Sequence, residues 1–214
     1  LTVDEDFAEF TINLNEHFAD LDGDILYYSV TNNGTEVACA ITGSTLTINS
    51  VLNWNGKSTI TVTANDRINK LSVSDSFEIT VNAVNDTPVL SLPFADETRD
   101  EDFESFTLDL NKHFSDVDTA TLTYSVVNNI SEVNCTIVDN ILTVSSVLNW
   151  NGVANISITA TDGQYEVTDT FALTVNPVND VPHISEPLAD ITKDEDFAEF
   201  SINLNEHFAD LDGD

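Results

Sequence analysis

A chain of 214 residues that is 41% apolar carries enough hydrophobic side chain for a packed core, so its acidity does not imply disorder. Its 38 acidic residues against 6 basic ones give a net charge of −32, which repels nucleic acid and anionic membranes and suits divalent cations or high salt. There is no leader-like segment, no apolar run long enough for membrane insertion and no methionine, so the sequence reads as an internal piece of something longer.

In chain order, the acidic motif Asp4-Glu5-Asp6-Phe7 is followed by apolar residues that alternate with a period of two. Phe10/Ile12/Leu14, Leu26/Tyr28/Val30, Val37/Cys39/Ile41, Leu46/Ile48, Ile60/Val62/Ala64 and Phe77/Ile79/Val81 each predict a half-buried strand. Between the first two lie Asn15–Phe18, enough for one helical turn at most, and Asp20-Leu21-Asp22-Gly23-Asp24, an oxygen-dense cluster of the kind hard cations need. That cluster lacks the glycine spacing and bidentate Glu of an EF-hand. Cys39 falls on the apolar phase of its strand and reads as a small buried hydrophobe.

The segment Val84-Asn85-Asp86-Thr87-Pro88 then breaks the alternation. Asn and Asp side chains bond their own backbone in turns, and the proline fixes φ and removes a donor, which makes a stiff connector. After it comes a short strand at Val89–Leu92, and the whole pattern starts again.

Asp4-Glu5-Asp6-Phe7 recurs at Asp100 and at Asp194, Leu52-Asn53-Trp54-Asn55-Gly56 recurs at Leu148, and the connector recurs at Val178. Residues 1–84 therefore read as one repeat lacking its first strand, 85–178 as a complete repeat and 179–214 as the beginning of a third. Seven strands in roughly 95 residues, with alternating inner and outer faces, predict tandem all-β sandwiches of two antiparallel sheets, immunoglobulin-like in size. A disulfide between Cys39 and its counterpart Cys135 would have to cross from one core to another and is not expected.

The ordered motifs Glu5-Asp6, Asp20-x-Asp22, Leu52-Asn53-x-Asn55, Ala64-x-Asp66 and Asn85-Asp86-x-Pro88 together resemble a cadherin repeat. They are most similar to the bacterial cadherin-like repeats of large secreted surface and adhesin proteins. The resemblance implies a Greek-key sandwich and Ca2+ at each seam. It places Glu5, Asn53, Asn55, Asn85 and Asp86 above the first seam and Asp116, Asp118 and Asp162 below it. Around the next seam it implies Glu101, Asn149, Asn151, Asn179 and Asp180, then Asp210 and Asp212; Asp20, Asp22 and Asp66 would face a further domain. One departure matters. The family's two carboxylates in Leu-Asp-x-Glu are both Asn here, so each site loses charge and should bind more weakly or hold fewer ions.

No nucleophile motif or phosphate loop is present, and acid pairs that repeat in every unit do not look like an active site, so no enzyme is expected. The expected function is a structural or adhesive segment of a secreted, extracellular, calcium-stiffened array. The alternative is an array of carbohydrate-binding modules on a polysaccharide-acting protein, with Trp54 and Trp150 stacking on sugar; a plug at one end of the sandwich is the preferred reading of both tryptophans. His17, His113 and His207 each stand alone before a Phe and suggest turn packing rather than zinc.

Residues 191–214 repeat residues 1–24 except at Leu1/Ile191, Val3/Lys193 and Thr11/Ser201. A two-strand tail cannot bury a core alone, which implies a head-to-tail partner: another copy of the chain, or a neighbouring repeat. Ile184, Leu188 and Phe200 are then expected to pack outside their own chain's second repeat.

Overall fold

A computed structural model describes residues 1–66 and 71–210 of the chain. These form two compact units, Leu1–Asp86 and Thr87–Asp214. The first holds strands β1 (Thr2–Asp4), β2 (Phe10–Asn13), β3 (Tyr27–Asn32), β4 (Val37–Thr42), β5 (Thr45–Ser50), β6 (Gly56–Asn65) and β7 (Ser72–Asn82). One sheet has the order β1-β7-β6-β3 and the other β2-β5-β4.

The second unit repeats this plan. Its strands are β8 (Val89–Leu90), β9 (Glu97–Asp100), β10 (Phe106–Asp109), β11 (Phe114–Ser115), β12 (Thr123–Asn128), β13 (Val133–Val138), β14 (Ile141–Ser146), β15 (Gly152–Thr161) and β16 (Glu166–Asn176). Its sheets run β12-β15-β16-β9 and β10-β14-β13, with β8 paired to β11 at one edge. Beyond the second connector, among the described residues, β17 (His183–Ile184) pairs with β18 (Phe208–Ala209) in a two-stranded sheet.

Every strand marked by an alternating apolar triplet is present, and the chain is an all-β pair of immunoglobulin-like sandwiches. One expectation is corrected: the sheets are not wholly antiparallel. β1 runs parallel to β7, with Thr2 opposite Thr80, and β9 runs parallel to β16, with Thr98 opposite Thr174. Parallel neighbours need a long crossover, and nearly an entire unit separates these strands in sequence. Both parallel strands escaped the alternation because Thr2–Asp4 has one apolar residue and Glu97–Asp100 has none.

Period-two patterning explains the cores. On β6, Ile60, Val62 and Ala64 are buried, while Thr61 and Thr63 face out and bond Ser76 and Ser74 across the strand pair at 2.9 and 2.8 Å. β15 and β16 repeat this with Ser157–Thr170 and Thr159–Thr168, at 2.7 and 2.8 Å. The first core gathers Leu14, Val37, Leu46, Ile48, Ile60 and Ile79; the second gathers the counterparts Leu110, Val133, Leu142, Val144, Ile156 and Leu173, and adds Phe114 and Phe171. The tight β4–β5 and β13–β14 turns each need a left-handed residue, supplied by Gly43 (φ +62°) and by Asp139 (φ +55°).

Asn13, Asp109 and Asn203 cap single 3-10 turns with side-chain oxygens, so the expected one-turn helix is present in all three copies. Cys39 and Cys135 are half-buried rather than enclosed, each against its own core, and burial raises both thiols above the usual cysteine range.

The two core clusters share no residue. Phe171→Ala, which truncates one of the largest enclosed side chains, is expected to destabilise the second unit by about 3–5 kcal/mol. Amide hydrogen exchange should then show lost protection on β15 and unchanged protection on β6; equal loss on both strands would contradict separate cores.

Candidate metal centre

The Asp-Glu-Asp-Phe motif closes one end of each unit, and its three acids perform three different tasks. Asp4 Oδ1 accepts from the Asn82 side chain at 3.1 Å, tying the end of β1 to the end of β7. Glu5 extends that pairing through its own N–H to the Asn82 carbonyl at 2.9 Å, and its Oε1 accepts from Val84 N–H at 2.5 Å. Asp6 turns into a left-handed conformation (φ +58°), and its Oδ1 accepts from Asn53 N–H at 2.8 Å.

The second unit repeats all three. Asp100 accepts from Asn176 Nδ2 at 3.2 Å, Glu101 Oε1 from Val178 N–H at 2.6 Å, and Asp102 Oδ1 from Asn149 N–H at 2.8 Å. Asn53 and Asn149 are themselves left-handed, with φ of +56° and +58°. Glu5 and Glu101 are buried, at 7% and 8% exposure. Glu5 Oε2 is buried, and among the described residues no hydrogen-bond donor reaches it.

The carried-over ligands are thus grouped at this end by the chain itself. Glu5 holds the residue before Asn85, and Asp6 holds Asn53; Glu101 and Asp102 do the same for Val178 and Asn149. Asn85 and Asn179 each donate a side-chain N–H to the next residue's carbonyl, Asp86 and Asp180, at 2.9 and 2.7 Å. Asn55 and Asn151 are exposed.

The other carried-over acids shape their own loops. Asp20 Oδ1 accepts from Asp22 N–H at 2.8 Å and Asp24 N–H at 3.3 Å, and Asp20 lines one shallow depression with the buried Asp66. Asp116 Oδ1 accepts from Asp118 and Thr119 N–H at 2.8 and 2.6 Å, and its Oδ2 is a second buried oxygen with no donor. Asp162 Oδ1 takes Gln164 and Tyr165 N–H at 2.6 and 2.7 Å. Asp210 is half-buried, and Asp212 lies outside the described residues.

Among the described residues no three His, Cys, Asp or Glu side chains converge into a cage. What fits a hard cation is narrower: oxygen-only chemistry, and a buried carboxylate oxygen on Glu5 and on Asp116 that no donor reaches.

The task of Asp6 and Asp102 is not legible from their motif alone. The signal was an Asp, tolerant of left-handed backbone, as the third acid of every motif copy. Trp54 and Trp150 are half-buried against the cores, as a plug requires. Gly56, at φ +147°, passes so close beneath the Trp54 ring that an added Cβ would lie 2.9 Å from it, which accounts for the Trp-Asn-Gly sequence. His113 stacks on Phe94 with ring centroids 3.9 Å apart and bonds the Leu92 carbonyl through Nδ1 at 2.8 Å, a turn-packing histidine.

Fold and acidic ends together define a tandem of immunoglobulin-like sandwiches with oxygen-rich termini. No family model and no curated protein matches the sequence. Among solved structures, protocadherin gamma B2 cadherin domains 1–5 share 19% identity over 88% of this chain and 41% of that one, with a TM-score of 0.48. Drosophila N-cadherin EC1-4 shares 18% over 74% of this chain and 42% of that one, at 0.44. An endo-fucoidan hydrolase of glycoside hydrolase family 107 shares 20% over 83% of this chain, at 0.36, and the chain spans only 27% of its length.

Asp102→Ala removes one hydrogen bond and places a non-tolerant residue at φ +60°. The expected loss in urea unfolding is about 2 kcal/mol, whereas Asp102→Asn, which keeps an acceptor and tolerates the conformation, should lose less than about 1 kcal/mol. Equal losses would contradict the assigned role.

Proposed function

We propose that this chain is a structural or adhesive segment of a secreted, extracellular repeat array whose units bind Ca2+ through their acidic ends. The observation that carries the reading is Glu5: a carboxylate 7% exposed, in a chain of net charge −32, with one oxygen bonded to the connector backbone and the other buried without a donor. Leaving such an oxygen unmatched costs on the order of 1–3 kcal/mol or more, and a divalent cation would remove that cost while neutralising its neighbours. Asp116 Oδ2 presents the same unmet demand in the second unit.

Glu5 with Asn85 and Asp86 would supply oxygens in the first unit; in the second, Glu101 with Asn179 and Asp180 would supply them at its acidic end, and the Asp116–Asp118 and Asp162 loops would offer further oxygens of their own. With Asn at 53, 55, 149 and 151, the sites carry less charge than carboxylate-rich ones, which favours the weak range of extracellular modules, a Kd of about 10⁻⁴–10⁻³ M. A cation bound to the connector would also limit its bending, which is the mechanical use of the array.

Calcium at about 100 times Kd should add ~2.7 kcal/mol per site and raise Tm, and excess chelator should reverse the gain. Glu5→Gln keeps an oxygen for Val84 N–H but removes the charge, so it should retain the fold and lose much of the calcium-dependent gain in the first unit. Terbium luminescence sensitised by Trp54 should fall in parallel. A wild-type Tm indifferent to calcium, or an undiminished gain in Glu5→Gln, would overturn the proposal.

A further inference from the structure

The chain enters the second unit through the connector that ends at Pro88 and leaves it through the connector that begins at Val178, so tension along an array reaches the unit at those two places. Phe94–Glu101 lies just after the entry and Asp169–Val178 just before the exit. The two stretches are neighbours and run the same way. Their middle is the β9–β16 pairing, with Glu97 opposite Leu173, Thr98 opposite Thr174, Arg99 opposite Val175 and Asp100 opposite Asn176.

Side chains carry this seam past both ends of the strands. Toward the entry, Phe94 N–H donates to Asp169 Oδ2 and Ala172 N–H donates to Asp96 Oδ1, both at 2.8 Å. Toward the exit, Asn176 Nδ2 donates to Asp100 Oδ1 at 3.2 Å, Glu101 N–H to the Asn176 carbonyl at 2.9 Å and Val178 N–H to Glu101 Oε1 at 2.6 Å. The partners in these side-chain bonds are all 75 to 77 residues apart, the same offset as the strand pairing, so the seam keeps one parallel register throughout. β9 brings no apolar side chain to the core, and Asp96, Asp100, Glu101 and Asp169 each accept a bond across the seam.

Parallel direction decides how the seam meets tension. A pull at the entry draws Phe94–Glu101 toward its own N-terminal end, and a pull at the exit draws Asp169–Val178 toward its C-terminal end. In strands that run the same way, these displacements are opposite and lie along the strands. The bonds then stretch together and open only when the two stretches slide. Where adjacent ends of two strands are drawn apart instead, the bonds open one after another, each carrying the force alone. Carboxylate acceptors reinforce the shared set, because a bond to a charged group is the stronger kind. Phe94 holds the entry end in the core, stacked on His113 with centroids 3.9 Å apart and tilted against Phe114 and Phe171. The first unit has the exit half of the same seam: Thr2–Asp4 runs parallel to Thr80–Asn82, with Asp4 bonded to Asn82 and Glu5 to Val84.

We propose that Phe94–Glu101 and Asp169–Val178 form a shear clamp that makes the second unit resist extension along the chain without a bound cation. The clamp rests on the structural reading of the array, since only a chain under tension uses one, but not on calcium.

The test is single-molecule force spectroscopy on the full chain in excess chelator, with handles on encoded azido residues at exposed positions. Handles at Thr87 and Val181 load the seam end to end; handles at Glu104 and Val181 draw apart the end where Glu101 meets Val178. At one loading rate the first geometry should unfold at the higher force. Asp96→Ala deletes one charge-assisted bond, so the end-to-end unfolding rate at a given force should rise by about tenfold or more. Asp109→Ala removes an acceptor from the other sheet, so it should lower stability in urea and leave that rate nearly unchanged. Equal forces in the two geometries, or equal acceleration by Asp96→Ala and Asp109→Ala, would overturn the clamp and leave the calcium reading standing. End-to-end resistance that appears only when calcium is added would also overturn it.

Discussion

The hydrogen bond from Val84 N–H to the Glu5 carboxylate, repeated from Val178 to Glu101, is the constraint on which the ends of both units depend. It fixes where the chain leaves the last strand, because the same glutamate also pairs through its N–H with the strand's final carbonyl. Flanking aspartates tie the neighbouring strand end and the Leu-Asn-Trp-Asn-Gly loop to the same place. Three acids in a row are therefore three separate clamps. Concentrating them is costly in so anionic a chain, and the cost is plainest at the Glu5 oxygen that no donor reaches.

The loop clamp also explains the tryptophan. Asp6 holds Asn53 in a left-handed turn, the turn delivers Trp54 to the end of the core, and Gly56 lets the backbone pass under the ring. A motif that as sequence alone suggested both a plug and a sugar platform is, in the structure, part of the wall of the sandwich. Side chains flanking it, such as Asn55 and Asn151, are the ones left to solvent.

Strands buried on one face were legible because apolar residues at every second position have no other use in a short polar-flanked run, as in Ile60, Val62 and Ala64. β1 and β9 were not, because a strand stabilised by parallel pairing at a sheet edge needs backbone bonds rather than an apolar face, and Glu97–Asp100 has none. Glu5 and Glu101 are legible as candidate ligands from their place in an ordered set of motifs, but their burial and their hold on the connector depend on a fold that brings residues 5 and 84 together. The task of Asp6 and Asp102 is hidden for the same reason: their partners, Asn53 and Asn149, are distant in sequence.

If the buried Glu5 carboxylate is one side of a cation site, anomalous scattering from crystals grown with Ca2+, or soaked with Tb3+, will locate the ion. The expected result is an anomalous peak about 2.3–2.6 Å from Glu5 Oε2, ligated only by oxygens and including the connector that follows Val84. A saturated crystal with no peak there, and with a protein donor or ordered water satisfying Oε2 instead, would contradict it.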